Sequence, residues 1–154
     1  MPKSYILYEG LYYIGDPANI INNNKVGNEF LSKLWDFFYQ DSDRFQHLIL
    51  DGIEFYITRT LGGDGRFGDI GTDTGTIIIV DTQQLIKDFR FQVNFEQEGV
   101  HFLEVKEQEK VTCEKFSLYF ESGYQIITSW HQHIIIKPIG LFIFKNLDQK
   151  YIIA

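Results

Sequence analysis

Short apolar runs separated by Gly, Asp and Pro dominate the chain, and this pattern predicts a fold rich in β-sheet. Residues 5–8 and 11–14 predict two short strands divided at Gly10, and Gly15-Asp16-Pro17 predicts a turn after them. From residue 99 onward, the pattern predicts strands near 100–107, 111–120, 123–130, 133–137 and 139–145. Turns are expected at 121–123 and 137–140, with a tight connection at 108–110.

The clearest local signal is a hairpin. Asp51-Gly52 separates two apolar runs, 48–50 and 53–57, and a two-residue Asp-Gly connection is typical of a type I′ turn. This turn predicts that Leu50 faces Ile53 and that Leu48 faces Phe55, with Ile57 on the same face. His47 and Tyr56 are expected opposite each other on the other face.

A second strong signal is the run Ile77-Ile78-Ile79-Val80, which does not alternate with polar residues. A continuous apolar run of strand length is typical of a central strand that is covered on both faces. Residues 82–87 predict a short helical turn directly after it.

One amphipathic helix is predicted over residues 26–40. Its apolar stripe recurs at spacings of three and four residues and consists of Phe30, Leu31, Leu34, Trp35 and Phe38. The polar run 22–24 is expected to cap its start, and 41–43 to end it.

These elements together predict an α+β fold, mostly antiparallel β, arranged as a sandwich or a strongly bent sheet with the helix packed on it. The 154 residues fit a single domain spanning residues 1–154, because we find no repeat, low-complexity tract or linker. Hydrophobic residues make up 44% of the chain, which is enough for an ordinary core.

The formal net charge is −7, from 14 Lys and Arg against 21 Asp and Glu. Negative charge repels phosphate backbones and anionic lipid, so neither nucleic acid nor a membrane is an expected partner. An acidic surface suits a basic protein partner or a cation, although solubility alone also produces one.

Cys113 is the one cysteine, so no disulfide can form within the chain. It has no catalytic signature around it and is expected to be a small packing residue. We see no secretory signal and no apolar run long enough to span a bilayer, and we therefore expect a cytoplasmic protein, in the producing cell or in a host cell.

The segment 62–75 is the most unusual part of the chain, with six glycines and three aspartates in fourteen residues. Glycines let a backbone approach a ligand closely, and carboxylates suit a hard cation such as Ca²⁺ or Mg²⁺. The spacing matches neither an EF-hand loop nor a P-loop. The alternative is a long irregular connection whose Asp and Gly residues form turns. The candidate ligand-binding residues here are Asp64, Gly65, Arg66, Asp69 and Asp73.

Asp16 is the sixth candidate in this set. It can bring a second carboxylate toward the Asp/Gly segment, and paired carboxylates can perform general acid–base chemistry. The alternative is an aspartate that forms the turn before Pro17.

His131 and His133 are candidate metal ligands because residues two apart in a strand project from one face. Further ligands would come from His101, Cys113 or a carboxylate. The alternative is a pair of half-exposed histidines with no ligand, and we expect no cofactor unless a divalent metal binds.

Several of these motifs occur in an order that resembles a group of small uncharacterised bacterial and phage proteins. The motifs are Gly15-Asp16-Pro17, Gly63-Asp64-Gly65 and Asp73-Thr74-Gly75 before an apolar strand, and the resemblance covers residues 12–85. Members of that group often carry Cys after Gly-Asp-Pro, where this chain has Ala18. The resemblance implies a fold family and no established activity.

The sequence therefore predicts a non-enzymatic binding or interaction protein, such as a small inhibitor, an immunity-type protein or a phage accessory protein. It would act through its acidic surface or the Asp/Gly segment. The alternative is a small metal-assisted or Asp-based enzyme whose site includes Asp16, Asp64, Asp69 and Asp73.

Overall fold

The computed structural model describes residues 3–38, 45–59, 65–67, 70–72, 76–95, 101–114, 117–123, 125–130, 133–137 and 151–153. The helix α1 spans Lys25–Phe38, and short 3-10 turns span Pro17–Asn19 and Thr82–Gln84. In chain order, the strands are β1 (Lys3–Leu7), β2 (Gly10–Gly15), β3 (Gln46–Leu50), β4 (Ile53–Arg59), β5 (Gly65–Phe67), β6 (Ile70–Thr72), β7 (Thr76–Asp81), β8 (His101–Val105), β9 (Glu109–Glu114), β10 (Ser117–Phe120), β11 (Gln125–Trp130), β12 (His133–Lys137) and β13 (Tyr151–Ile153).

The described strands form two large sheets and one small ribbon. The five-stranded sheet has the order β1-β9-β10-β11-β12, and the six-stranded sheet has the order β13-β8-β2-β7-β4-β3. All pairs are antiparallel except β13 with β8, which is parallel. The ribbon consists of β5 and β6. This architecture confirms the predicted α+β class with mostly antiparallel strands.

The two large sheets pack face to face as a sandwich. One cluster of buried side chains joins them, with Tyr12, Tyr56 and Ile79 from the six-stranded sheet and Leu7 and Val111 from the five-stranded sheet. We call this cluster the inter-sheet core. Two sheets stacked in this way each bury one face, which is the first of the two arrangements that the sequence predicts, a sandwich or a strongly bent sheet.

The opposite face of the six-stranded sheet carries α1. Phe30 and Leu34 of the helix are 3% and 1% exposed and share a second core with Phe55, Ile78 and Val80. Burial of one such side chain contributes about 1.5–3 kcal/mol to stability. The side chains of Trp35 and Phe38, which complete the predicted stripe, lie outside the described part.

The start of α1 is fixed by Asn24, whose side-chain oxygen accepts a hydrogen bond from the backbone N–H of Gly27 at 2.7 Å. Asparagine is among the best residues for this capping role. A Cβ at residue 27 would overlap the carbonyl oxygen of Asn22, so glycine permits this close approach. The predicted cap in the run 22–24 is thus confirmed. In the described part of the chain, no helix is long and apolar enough to cross a membrane.

The predicted hairpin is confirmed in full. β3 and β4 pair with Leu50 opposite Ile53 and His47 opposite Tyr56. Asp51 and Gly52 have φ of 48° and 84°, as a type I′ turn requires. β7 lies between β2 and β4, and its residues alternate between the two cores, so the prediction of a central strand is also confirmed.

Two predictions in the second half are wrong. The single strand 111–120 is two strands, because β9 and β10 pair antiparallel with Glu114 opposite Ser117. The connection predicted at 108–110 is also misplaced, since Glu109 and Lys110 belong to β9 and pair with β1. The predicted turn at 121–123 is confirmed, whereas the predicted strand 139–145 lies outside the described residues.

Candidate functional site

The Asp/Gly segment lies at one end of the six-stranded sheet. The chain leaves β4 after Arg59 and returns at Thr76, and these two residues pair with each other. Within the segment, β5 and β6 form a ribbon with Arg66 opposite Gly71, and β6 lies beside β2. Gly65 and Arg66 are thus placed in β5, whereas Asp64, Asp69 and Asp73 fall outside the described residues.

Asp16 directly follows β2 at this same end of the sheet and is fully buried. Its side-chain oxygen Oδ1 accepts a hydrogen bond from the backbone N–H of Ala18 at 2.8 Å and so caps the first 3-10 turn. The Tyr13 hydroxyl donates to the Asp16 carbonyl oxygen at 2.7 Å. Burial, together with the nearby Asp16 carboxylate, raises the pKa of the Tyr13 hydroxyl above its usual range.

Two buried hydroxyl groups lie near the same end. Thr58 and Thr76 are 2% and 0% exposed, and their Oγ1 atoms have no hydrogen-bond partner among the described atoms. Buried polar atoms are nearly always paired, so each exception needs an explanation. Both threonines belong to the paired ends of β4 and β7.

Of the histidine pair, His133 alone lies in the described part of the chain. It begins β12 and pairs with Trp130, the last residue of β11. His131 lies outside the described residues, so a metal site at the pair stays a prediction. His101, one of the further ligands considered, is in β8 of the other sheet.

Cys113 is 4% exposed in the inter-sheet core, which confirms the predicted packing role. Within the described ranges, no group of three or more His, Cys, Asp or Glu side chains is arranged to hold a metal ion.

A pocket opens at the opposite end of the six-stranded sheet, where β1 of the other sheet crosses over it. Its volume is about 170 Å³. It is lined by Ile6, Leu7, Tyr8, Tyr12, Glu54, Tyr56, Ile79, Asp81 and Gln84. We call it the acid pocket, after the carboxylates of Glu54 and Asp81.

Strand alternation explains how the acid pocket is assembled. Ile53 and Phe55 of β4 point into the helix-side core, so Glu54 and Tyr56 point toward the other sheet. Asp81 likewise shares its face of β7 with Ile79. The two carboxylates thus lie where the inter-sheet core ends and solvent begins.

The charges of the acid pocket are only weakly compensated. Burial raises the pKa of Asp81, and its hydrogen bond from the backbone N–H of Gln83 lowers the pKa to a smaller extent. Glu54 has His47 as its neighbour, with 3.3 Å between Oε1 and Nε2. In the described part of the chain, no Lys or Arg forms an ion pair with either carboxylate.

Tyr56 lines the acid pocket, but its hydroxyl is buried. It is 2% exposed, and its hydroxyl has no hydrogen-bond partner among the described atoms. Burial is the main cause that raises the pKa of this hydroxyl, and the carboxylate of Glu54 contributes. Tyr12 differs, since its hydroxyl donates to the Tyr8 carbonyl oxygen at 2.8 Å.

Sequence reasoning did not identify the acid pocket. The signal that was present is the alternation Glu54-x-Tyr56 beside Ile79-x-Asp81, which puts two carboxylates on one face of neighbouring strands. What makes this face a site is β1, which belongs to the other sheet, and no local pattern predicts that contact.

Comparison with models of known protein families, with curated proteins and with solved structures finds no match. The resemblance of residues 12–85 to small bacterial and phage proteins therefore stays a prediction.

Proposed function

We propose that the protein is a non-enzymatic binding protein that engages a basic protein partner through the acidic face around the acid pocket. The net charge of −7 supports this, since it attracts cationic surfaces and repels anionic ones. The buried single cysteine fits the reducing cytoplasm, where we place the protein.

One observation carries the proposal: Asp81 is a half-buried carboxylate with no cationic partner in the described residues. Two other half-buried acidic residues have a cationic partner within the chain: Asp88 pairs with Arg90, and Glu104 pairs with Lys106. Desolvation of a carboxylate is costly unless an opposite charge compensates it. A cationic group from a partner would supply that compensation.

Calorimetric titration with two probes tests the proposal. We expect a ten-residue polylysine to bind, more weakly as salt is raised, and a ten-residue polyglutamate not to bind. The double variant Glu54→Gln, Asp81→Asn should bind polylysine more weakly. The matched control, Glu107→Gln with Glu121→Gln, removes the same charge from exposed turns and should lose less affinity. Equal losses in both double variants would contradict a role for this face.

A second candidate function is a metal-assisted or Asp-based site at the Asp/Gly segment. It is favoured by Asp16, Thr58 and Thr76, which are all buried at the end of the sheet where that segment is attached. Native mass spectrometry before and after EDTA treatment tests it. An added mass that EDTA removes would support this candidate, and a bare mass at millimolar Ca²⁺ or Mg²⁺ would overturn it.

A further inference from the structure

We infer that the acid pocket receives a single aliphatic ammonium group, such as the end of a lysine side chain. The inference rests on the proposed function, and it adds the chemical group that a partner inserts.

The size of the pocket limits what it can hold. Its volume of about 170 Å³ is close to the roughly 150 Å³ of a cavity that holds one benzene molecule. Drug-sized ligands occupy pockets of about 300 Å³ or more. The acid pocket therefore suits one side chain and excludes a nucleotide or a second ring system.

Two carboxylates can accept hydrogen bonds from the N–H donors of an ammonium group. Asp81 uses Oδ1 for the N–H of Gln83 at 2.9 Å, and Oδ2 accepts no bond from the described residues. Glu54 has its second oxygen available, since Oε1 is the atom beside His47. The Tyr56 hydroxyl is buried and does not reach the open space of the pocket.

The walls of the pocket favour an alkyl chain that ends in a positive charge. Ile6 offers exposed apolar surface to the methylene groups. Tyr8 offers an exposed aromatic ring, and the face of such a ring attracts cations. A lysine side chain combines an apolar stem with a compact charge, so each part meets a matching surface.

An ammonium group fits better than the alternatives. A guanidinium group is planar and favours a bidentate carboxylate, whereas the acceptors here are two separate carboxylates, one from β4 and one from β7. A Ca²⁺ ion takes six to eight oxygen ligands, more than two carboxylates provide.

Titration with a model compound, followed by NMR of the backbone amides, tests the inference. We expect N-acetyl-lysine methylamide to shift the amide signals of Glu54, Asp81 and their neighbours. The norleucine analogue, which lacks the ammonium group, should not shift them. Stronger binding of the arginine analogue, or displacement of the lysine compound by Ca²⁺, would overturn the ammonium assignment.

Single-residue variants test which side chains accept hydrogen bonds from the ammonium group. Asp81→Asn should weaken lysine-compound binding about tenfold or more, and Glu54→Gln should weaken it roughly fivefold. Glu121→Gln, an exposed carboxylate on another turn, should leave the affinity unchanged. Unchanged binding in both Asp81→Asn and Glu54→Gln would overturn the inference.

The two proposals fail in different ways. If polylysine binds wild-type protein but the lysine compound shifts none of the pocket amides, the acidic face is the binding surface and the pocket inference is wrong. If neither probe binds, both proposals are wrong.

Discussion

The side-chain amide of Gln84 makes two hydrogen bonds to the backbone of Glu54. Its Oε1 accepts from the Glu54 N–H at 2.8 Å, and its Nε2 donates to the Glu54 carbonyl oxygen at 2.7 Å. The pairing of β4 with β7 begins one residue later, at Phe55 and Val80. Gln84 therefore extends the ladder by one position and holds Glu54 at the edge of the acid pocket.

Gln84→Ala should lower the affinity for the lysine compound, and it should reduce the stability of the fold only slightly. It removes two partly exposed hydrogen bonds, and we expect a loss of about 1 kcal/mol in the free energy of unfolding. Glu54 would then be free to turn into solvent, which lowers the affinity. The control is Gln83→Ala, whose exposed side chain lies one residue earlier and should change neither quantity. Denaturant unfolding measures the stability of both variants, and NMR titration measures their affinity for the lysine compound. If Gln83→Ala lowers the affinity as much as Gln84→Ala does, Gln84 does not position Glu54.

Tyr13 and Tyr56 provide a matched pair of buried hydroxyls on two strands of one sheet. The Tyr13 hydroxyl donates a hydrogen bond at 2.7 Å, whereas the Tyr56 hydroxyl has no partner among the described atoms. Tyr13→Phe should therefore reduce the free energy of unfolding by about 1 kcal/mol or more, since it leaves a carbonyl short of a donor. Tyr56→Phe should raise it, because an unpaired buried hydroxyl is removed.

Urea unfolding of the two tyrosine variants measures both changes in the free energy of unfolding. The dependence of that free energy on urea concentration should be the same in both variants and in wild type. A loss of stability in Tyr56→Phe equal to that in Tyr13→Phe would mean that the hydroxyl has a partner in the free protein.

Asp81 and Asp88 should give opposite dependences of stability on pH. Burial raises the pKa of Asp81, so the ionised form destabilises the folded state, and wild type should lose stability relative to Asp81→Asn as the pH rises through that pKa. Arg90 lowers the pKa of Asp88 through a bidentate hydrogen bond. Wild type should therefore gain stability relative to Asp88→Asn over the corresponding range.

Free energies of unfolding measured from pH 3 to pH 7 test both predicted pH dependences, the loss of stability at Asp81 and the gain at Asp88. Asparagine at position 81 keeps an oxygen that can accept from Gln83, so the cap of the second 3-10 turn persists and the charge effect is isolated. Near the ordinary pKa of aspartate, about 3.9, and below it, Asp81→Asn and wild type should converge. If wild type instead gains stability relative to Asp81→Asn as the pH rises, burial does not raise the pKa of Asp81.

The sequence predicts elements well where their signals are local. The turn Asp51-Gly52 sets the register of β3 and β4, because a two-residue turn leaves a single pairing that keeps Phe55 on the face that packs against the helix. The continuous run in β7 identified a strand covered on both faces, which β2, β4 and both cores confirm. Asn24 signalled the start of α1.

Prediction fails where pairing is distant along the chain. β1 pairs with β9, so Lys3 lies opposite Cys113, and no spacing within either segment indicates this contact. The acid pocket depends on the same contact, because β1 supplies Ile6 and Leu7 to its wall. The division of 111–120 into β9 and β10 was missed because no Gly or Pro marks the reversal after Glu114.

Asp16 offers the sharpest test of the Asp/Gly segment as a site. Its Oδ1 caps the first 3-10 turn, and Asp16→Ala should cost about 0.5–2 kcal/mol in the free energy of unfolding because Ala18 loses its acceptor. Asp16→Asn keeps an oxygen in the same place and should remain much closer to wild type. If the amide variant is as unstable as the alanine variant, the fold needs the charge itself, and a lower stability of wild type after EDTA treatment would assign the partner of that charge as a bound cation. If Asp16→Asn is stable and its mass in native spectra matches the bare chain, as that of wild type does, Asp16 forms the turn before Pro17 and the metal-assisted candidate loses a carboxylate.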